Sequence, residues 1–401
     1  MARILDLRTG RPVWTAYRAP RVPVEPLRRD LKADVLVVGM GISGAMVAEA
    51  LTADGHEVAM IDRRGPVMGS TPASTALVQF EIDQPMVKLV PRIGRARTER
   101  AWRRSRLAVG NLAARIEELG IRCGVVPRRS LYLSGDLLDA DDLRSEQGCR
   151  RGAGIQASLL DRDALRAGYG IDRSAALLSF GNLALDPRKL TAGLLLAAHA
   201  RGARLLAPAD AVDFEHGADG VTVATRGGPV IRAGHVVLAT GYELAPGVPA
   251  DGHRIISTWA IATKRQSRAI WPHAALIWEA SEPYLYLRAT EDGRVVCGGE
   301  DEDFQDEARR DALIGAKTAA IAAKLAALLP GFDPTPAFAW TGSFGATPTG
   351  LPIIRRLSRR PRIHAIMGYG GNGITFSRIA AELVATELGG GEDSDADLFR
   401  G

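Results

Sequence analysis

The chain has 401 residues, 46% of them hydrophobic and 24% charged, the balance of a globular protein long enough for two cores rather than one. No 18 uncharged apolar residues run together and MARILDLRTGRPVW has no apolar centre, so neither a transmembrane segment nor a secretory leader is expected and the expected location is cytoplasmic. A net charge of +5 without interleaved aromatics excludes a nucleic-acid surface, and Cys123, Cys149 and Cys297 form no CxxC or Cys/His cluster, so no metal site is expected.

Residues 1–30, with Pro12, Pro20, Pro23 and Pro26, read as an extended arm. Asp34-VLVVGMGISGAMVAEALTADGHEVAMI-Asp62 then reads as a βαβ unit that binds a dinucleotide. Val35 to Val38 has the apolar character of a strand buried on both faces. Gly39 permits the tight turn, Gly41 lets the backbone approach a pyrophosphate, and Gly44 lets the helix pack against the strand. The helix from about Ile42, through Ser43, aims its free N–H groups at the phosphates. The second strand ends at Asp62, followed by Arg63, where a carboxylate accepts ribose hydroxyls and disfavours a 2′-phosphate.

The next loop, RRGPVMGSTPASTALVQFEID, offers hydroxyls and open N–H groups from Ser70, Thr71, Ser74, Thr75 and Ala76, a cradle for a cofactor or a plain surface turn. Seven arginines between Arg92 and Arg106 give a helix over 95–120 a basic outer face, which suits an anionic partner or is simply solvated. Residues 139–170 carry a helical pattern, and Pro187 opens an apolar helix ended by Gly202. Short alternating strands follow, ending in a buried strand over 235–239, whose Ala239, Thr240 and Gly241 return to the dinucleotide site. IISTWAIATKRQ, ALIWEASEPYLYLRAT and GRVVCGGEDED read as antiparallel strands, residues 306–329 as one long helix, and IHAIMGYGGNGITFSRIAAELVATEL as strand, glycine loop and helix.

The fold class that follows is α/β (α+β overall): a discontinuous Rossmann-like FAD-binding domain over 1–90, 182–246 and 340–401, and a mainly antiparallel substrate domain with helices over 91–181 and 247–339. A nicotinamide would need only the first motif. Three distant glycine-rich approaches suit a large, permanently held flavin, and a helix starting at Gly368-YGGNGI-Thr375 would stabilise negative charge developing on its ring.

In their order, the first motif, GSTPASTALVQFEID, HVVLATGYE, GRVVCGGED, TGSFGATPTGLPII and GYGGNGITFS resemble the D-amino-acid oxidase superfamily of FAD-dependent oxidoreductases, over almost the whole chain. The resemblance implies that Gly39, Gly41, Gly44 and Asp62 bind the ADP half of FAD, with Val212 at the adenine. It places Ser70, Thr71, Ser74 and Thr75 along the pyrophosphate and ribityl chain, and Gly371, Asn372, Gly373 and Ile374 at the flavin ring. It makes Arg288, after Tyr284 and Tyr286, the candidate partner of a substrate carboxylate, the alternative being an ordinary strand residue. Where relatives attach FAD through cysteine, this chain has Thr341, Gly342 or Ser343, so noncovalent FAD is expected; where they carry an oxygen-activating lysine, it has Val296.

The implied activity is hydride transfer from the carbon beside an amine, in a small amine or amino acid, to the flavin, with O2 or another acceptor reoxidising it. Lys264, His253 and His364 are available as bases, but no Ser/His/Asp or Cys/His arrangement is present. Two other readings keep FAD: a 2-hydroxy-acid or glycerol-phosphate dehydrogenase, and a flavoprotein whose FAD is structural or non-redox.

Overall fold

The computed structural model describes residues 6–250 and 252–401; the first five residues of the expected arm, and position 251 of the expected substrate domain, lie outside the described residues. Two sheets organise the chain. The first has the strand Leu31–Val38 at its centre, parallel to Val230–Leu238 on one side and to Val58–Ile61 on the other. Arg204–Leu206 extends it beyond Val58–Ile61, and Arg360–Met367 and Ile353–Leu357 extend it beyond Val230–Leu238. The hairpin Ala211–His216 and Val221–Thr225 joins through Val230–Leu238.

The side-chain alternation of the central strand explains its burial on both faces. Val35 and Val37 pack in the cluster built from the helices Ile42–Ala53, Pro187–Ala200 and Gly373–Leu388, while Leu36 packs with Phe214, Val223 and Leu238. At the strand end Gly39 has φ +114°, and a Cβ there would overlap the Ala239 carbonyl; a Cβ at Gly44 would overlap the Gly39 carbonyl. Only glycines let the two parallel strands and the first helix come this close.

The second sheet runs Pro336–Ala346, Arg254–Thr263, Val295–Glu302, Leu285–Ala289, Leu276–Glu279, Val126–Leu133, Ala175–Ala184 and Leu77–Val78, with Ala157–Asp161 paired to Ala175–Ala184. It is antiparallel except where Leu276–Glu279 runs parallel to Val126–Leu133. The expected helical stretch 139–170 is in fact the helices Ala140–Gly152 and Arg162–Tyr169 separated by the strand Ala157–Asp161, because Leu159 and Leu160 find strand partners in Leu177 and Ala176. The expected helix 306–329 is two, Glu307–Ala312 and Ile314–Leu328. Residues from 340 onward do not all return to the first sheet: Pro336–Ala346 stays paired with Arg254–Thr263, and the return begins at Ile353.

The arginine-rich helix, Arg95–Glu118, packs beside Gly373–Leu388. Part of its basic face is paired within the chain, while Arg95, Arg103 and Arg106 stay exposed. Arg104 is buried against Glu382 and Asp393, and Arg97 and Arg100 pair with Asp395 and Asp397 of the acidic C-terminal segment. Among the described residues no helix is long and apolar enough to cross a membrane.

Candidate cofactor cleft and substrate pocket

The carboxyl ends of the parallel strands open into a cleft of about 1220 Å³, and this meets a second compartment of about 970 Å³ that runs beneath the antiparallel sheet. Ile42, Ser70, Thr71, Tyr242 and Gly373 belong to both walls. Such a position, outside strand ends and between two sheets, is where open α/β folds hold ligands.

The first compartment gathers most of the residues expected at the ADP half. Gly39, Gly41, Ile42, Ser43, Asp62 and Arg63 line it, as do Val212, Ala239, Thr240 and Gly241. Gly44 stays behind the wall, in the packing role its carbonyl contact imposes. The helix Ile42–Ala53 begins at Gly41 with no cap from the Gly41 side and no acid in its first turn; Thr71 Oγ1 accepts the Ile42 N–H at 3.1 Å, and the following N–H groups and the positive end are left for an anion. Asp62 is held by the turn itself: Oδ2 accepts the Met40 N–H at 2.8 Å, and Oδ1 accepts the Arg64 and Gly65 N–H groups at 2.7 and 2.9 Å. Beside it Glu243 pairs with both Arg63 and Arg64 and clips the turn to the segment after Gly241. Neither Arg64 nor Glu243 carries a recognisable sequence signal, because the pair spans 179 residues.

The second compartment collects Ser74, Thr75, Ala76, Gly342, Gly371, Asn372 and Ile374, together with Tyr284 and Tyr286. The helix Gly373–Leu388 also starts without a side-chain cap or an early acid. Two uncapped helix starts and a glycine-lined passage between them thus fit an elongated dinucleotide with a central pyrophosphate and, at one end, an electron-accepting ring that becomes negative on reduction. These residues would hold FAD. No cysteine lines either compartment: Cys123 and Cys297 are buried elsewhere in the core, so a thioether attachment has no candidate here.

Arg288 is placed differently from the expectation. Its side chain is 4% exposed and does not line the pocket with Tyr284 and Tyr286. The guanidinium donates to the carbonyls of Ala76, Leu185 and Ala289 at 2.8, 2.9 and 3.2 Å and lies over the Trp14 ring at 5.2 Å. Burial lowers its pKa to about 9, with the neighbouring Arg128 adding to the effect. It braces the underside of the loop whose other face lines the cleft.

What does line the substrate end is aromatic and acidic. Trp278 stacks on Tyr132 at 3.8 Å, and Tyr284 stands 5.2 Å from Tyr286. Asp83 lines the compartment and accepts the Gly371 N–H at 2.7 Å; burial raises its pKa. Asp301 lies behind Tyr284 and Thr258, both carboxylate oxygens buried without a hydrogen-bond partner, and burial raises its pKa to about 6. Thr258 and Tyr284 hydroxyls face it, neither in full hydrogen-bonding geometry. Neither Asp83 nor Asp301 carries a signal of its own in the sequence, although Asp83 ends the hydroxyl-rich loop and Asp301 lies in the strand Val295–Glu302. Of the bases considered, Lys264 is exposed on the surface, His364 is buried against Glu387, and His253 sits beside Gly345 with its pKa lowered by burial; none lines the pocket.

Comparison with known proteins agrees with this geometry. The family described as DAO, FAD dependent oxidoreductase, matches residues 34–387. The chain is 22% identical over 389 residues to the probable oxidoreductase OrdL of Haemophilus influenzae, covering 94% of this chain and 87% of that protein. It is 26% identical over 220 residues to the protein of the same name from Rhizobium meliloti, covering 54% of this chain and about half, 49%, of that relative. Glycine oxidase from Geobacillus kaustophilus superposes with a TM-score of 0.75 at 20% identity, covering 91% of this chain and 96% of that one. L-proline dehydrogenase from P. horikoshii superposes with a TM-score of 0.74 at 20% identity, covering 92% and 98%. With a motif-bearing cleft shaped for a dinucleotide and a family match over most of its length, the chain belongs to the DAO family of FAD-dependent oxidoreductases.

Proposed function

We propose that this enzyme oxidises a small amine or amino acid at the carbon that bears nitrogen, releasing an imine that water hydrolyses. The observation that carries the reading is the second compartment: an aromatic-walled pocket that meets the expected flavin end at Gly371 to Ile374 and holds the carboxylate of Asp83. Bound FAD supplies the two-electron acceptor.

The chain's own residues bind, orient and deprotonate. Tyr284, Tyr286 and Trp278 flank the substrate and exclude water, fixing one C–H bond toward the cofactor. The amine must be neutral for its lone pair to form the C=N bond as hydride departs, and Asp83, the carboxylate in the lining, with its pKa raised by desolvation, is suited to accept the ammonium proton. Uncapped N–H groups at the start of Gly373–Leu388 favour the extra charge on the reduced ring.

A 2-hydroxy acid or a glycerol phosphate would bring an anion. Among the described residues no Lys, Arg or His lines the second compartment, so that reading lacks a partner for its substrate. Anaerobic mixing of the yellow protein with amines, amino acids and 2-hydroxy acids tests the proposal: amine-type compounds bleach the flavin band, and bleaching by hydroxy acids alone overturns it. A flavin that dithionite bleaches but no candidate substrate does marks a structural FAD.

A further inference from the structure

The substrate pocket has an uneven charge. Asp83 is the only charged residue in its lining among the described residues, and its one hydrogen bond is to the Gly371 amide. Asp301 stands behind the same tyrosines with both oxygens buried, faced by the neutral Thr258 and Tyr284 hydroxyls and by no ion-paired cation. A third acceptor, Asn372 Oδ1, is unpartnered on a residue 5% exposed in the same lining. The unpartnered donors nearby, Gln79 Nε2 and Trp278 Nε1, are neutral and offset no charge.

The cations near the pocket are already engaged. Arg288 is committed to three backbone carbonyls and the Trp14 face. Lys317, the cation nearest to Asp301 in its electrostatic surroundings, pairs with Glu300 at 3.4 Å and with Glu302 at 2.7 Å. A half-buried carboxylate in the lining, backed by the buried Asp301 oxygens and met by no cation in the lining, marks a site whose ligand brings the missing charge. Tyr284, Tyr286, Trp278 and Tyr242 supply aromatic faces around it, the surroundings that favour an organic cation.

Building on the proposed amine oxidation, we infer that the substrate is a cationic alkylamine without a carboxylate, a monoamine or diamine held by Asp83 with the negative charge of Asp301 behind the tyrosines, rather than an amino acid. A substrate carboxylate would enter beside two like charges and meet no guanidinium or ammonium. The ammonium of an amine instead completes the pocket, and Asp83 takes the proton that the reacting nitrogen must lose.

The test uses the FAD-loaded protein. Flavin bleaching is followed anaerobically with 1,4-diaminobutane, N-methylbutylamine and butylamine, and in parallel with glycine, N-methylglycine, L-proline and L-alanine. Separately, binding of tetramethylammonium, a cation that cannot be oxidised, is measured by calorimetry. The expected result is bleaching by an alkylamine at rates at least tenfold above every amino acid, with tetramethylammonium binding that weakens at least tenfold in Asp83→Asn and in Asp301→Asn at unchanged flavin content. Faster bleaching by an amino acid overturns the inference and leaves the proposed chemistry standing. Tetramethylammonium binding that neither asparagine variant weakens also overturns it, and the charge-preserving Asp301→Glu, which should retain the cation, separates loss of charge from loss of fold. Bleaching by dithionite but by no nitrogen compound sinks the proposed chemistry itself, and with it this inference.

Discussion

The Arg288 guanidinium donates to the Ala76 carbonyl oxygen at 2.8 Å, and Ala76, at φ +57°, is a strained residue of the loop that lines the flavin end of the cleft. An arginine expected at the substrate is thus a brace under the cofactor loop. Arg288→Met leaves the Ala76 and Leu185 carbonyls without their donor, at about 1–3 kcal/mol each. The expected outcome in chemical denaturation is a loss of about 3 kcal/mol with weaker FAD retention, while the KM of the remaining flavin-loaded enzyme changes less than about threefold. A large rise in KM with normal stability would return Arg288 to the substrate.

Asp62 offers a second, separable test. Its carboxylate ties Met40, Arg64 and Gly65 N–H groups together before any ligand arrives. Asp62→Ala frees all three, so the turn loses its shape as well as a ribose acceptor. FAD affinity, measured by fluorescence during dilution, falls at least tenfold, which corresponds to about 1.4 kcal/mol, and melting of the FAD-free protein falls too.

The pocket acids predict an unusual dependence of stability on pH. Asp301 in the fold titrates near 6, raised from an ordinary value of 3.8, so the folded state favours its proton. Stability from this group is therefore fully present below about pH 4 and is lost as pH rises through 6. At pH 8 Asp301→Asn should stabilise the FAD-free protein by about 3 kcal/mol, a gain that shrinks as pH falls below 6. Thr258, Tyr284, Tyr286, Asp83 and Lys317 face the same carboxylate, with Glu300 and Glu302 holding Lys317, so Asp83→Asn is the control for a shared titration. Urea midpoints at pH 5 and pH 8 decide: an equal effect at both would remove Asp301 as the cause.

The arginine-rich helix separates buried from exposed ion pairing. Glu382 meets Arg104, Asn111 and Arg378, and the Arg104 side chain is 4% exposed. Glu382→Leu leaves Arg104 with only Asp393 at 3.3 Å and should cost about 3 kcal/mol. The pairs of Asp395 and Asp397 with Arg97 and Arg100 lie at the surface, so replacing both acids by asparagine should cost less than about 1 kcal/mol, vanishing in 1 M salt. Thermal melting of the two variants at low and high salt checks the contrast.

Val296 is fully buried and lies across from Arg288 in the paired strands, an apolar side chain where an oxygen-activating lysine was sought. After substrate reduction, reoxidation in air should be at least tenfold slower than with an artificial quinone or dye. Stopped-flow reoxidation rates would contradict this if oxygen reacts as fast as the dye.

Much of the cofactor cleft was legible from sequence because its parts are local. Strand, three glycines, helix and acid lie within Asp34 to Asp62, and each residue's job follows from backbone reach alone. The downstream Ala239 to Gly241 and Gly371 to Ile374 were also visible as strand ends and helix starts, and both line the cleft. The weak points were of another kind. Ala157–Asp161 read as helix because its leucines have no fixed period; pairing to Ala175–Ala184 made it a strand.

By itself, the sequence determined the kind of cofactor and the turn chemistry that receives it, since those depend on neighbours in the chain. The tertiary structure alone decided where charge resides. Asp83 and Asp301 are 218 positions apart in sequence, yet one lines the pocket and the other stands behind its tyrosines; Arg97 and Asp397 pair across 300 residues; Arg288 follows Tyr286 by two positions yet ends on backbone carbonyls outside the pocket. Strand alternation puts Tyr284, Tyr286 and Arg288 on one face, but the loop around Ala76 closes over only the last of them. A side chain's partners, and hence its chemistry, are set by what folds against it from far along the chain.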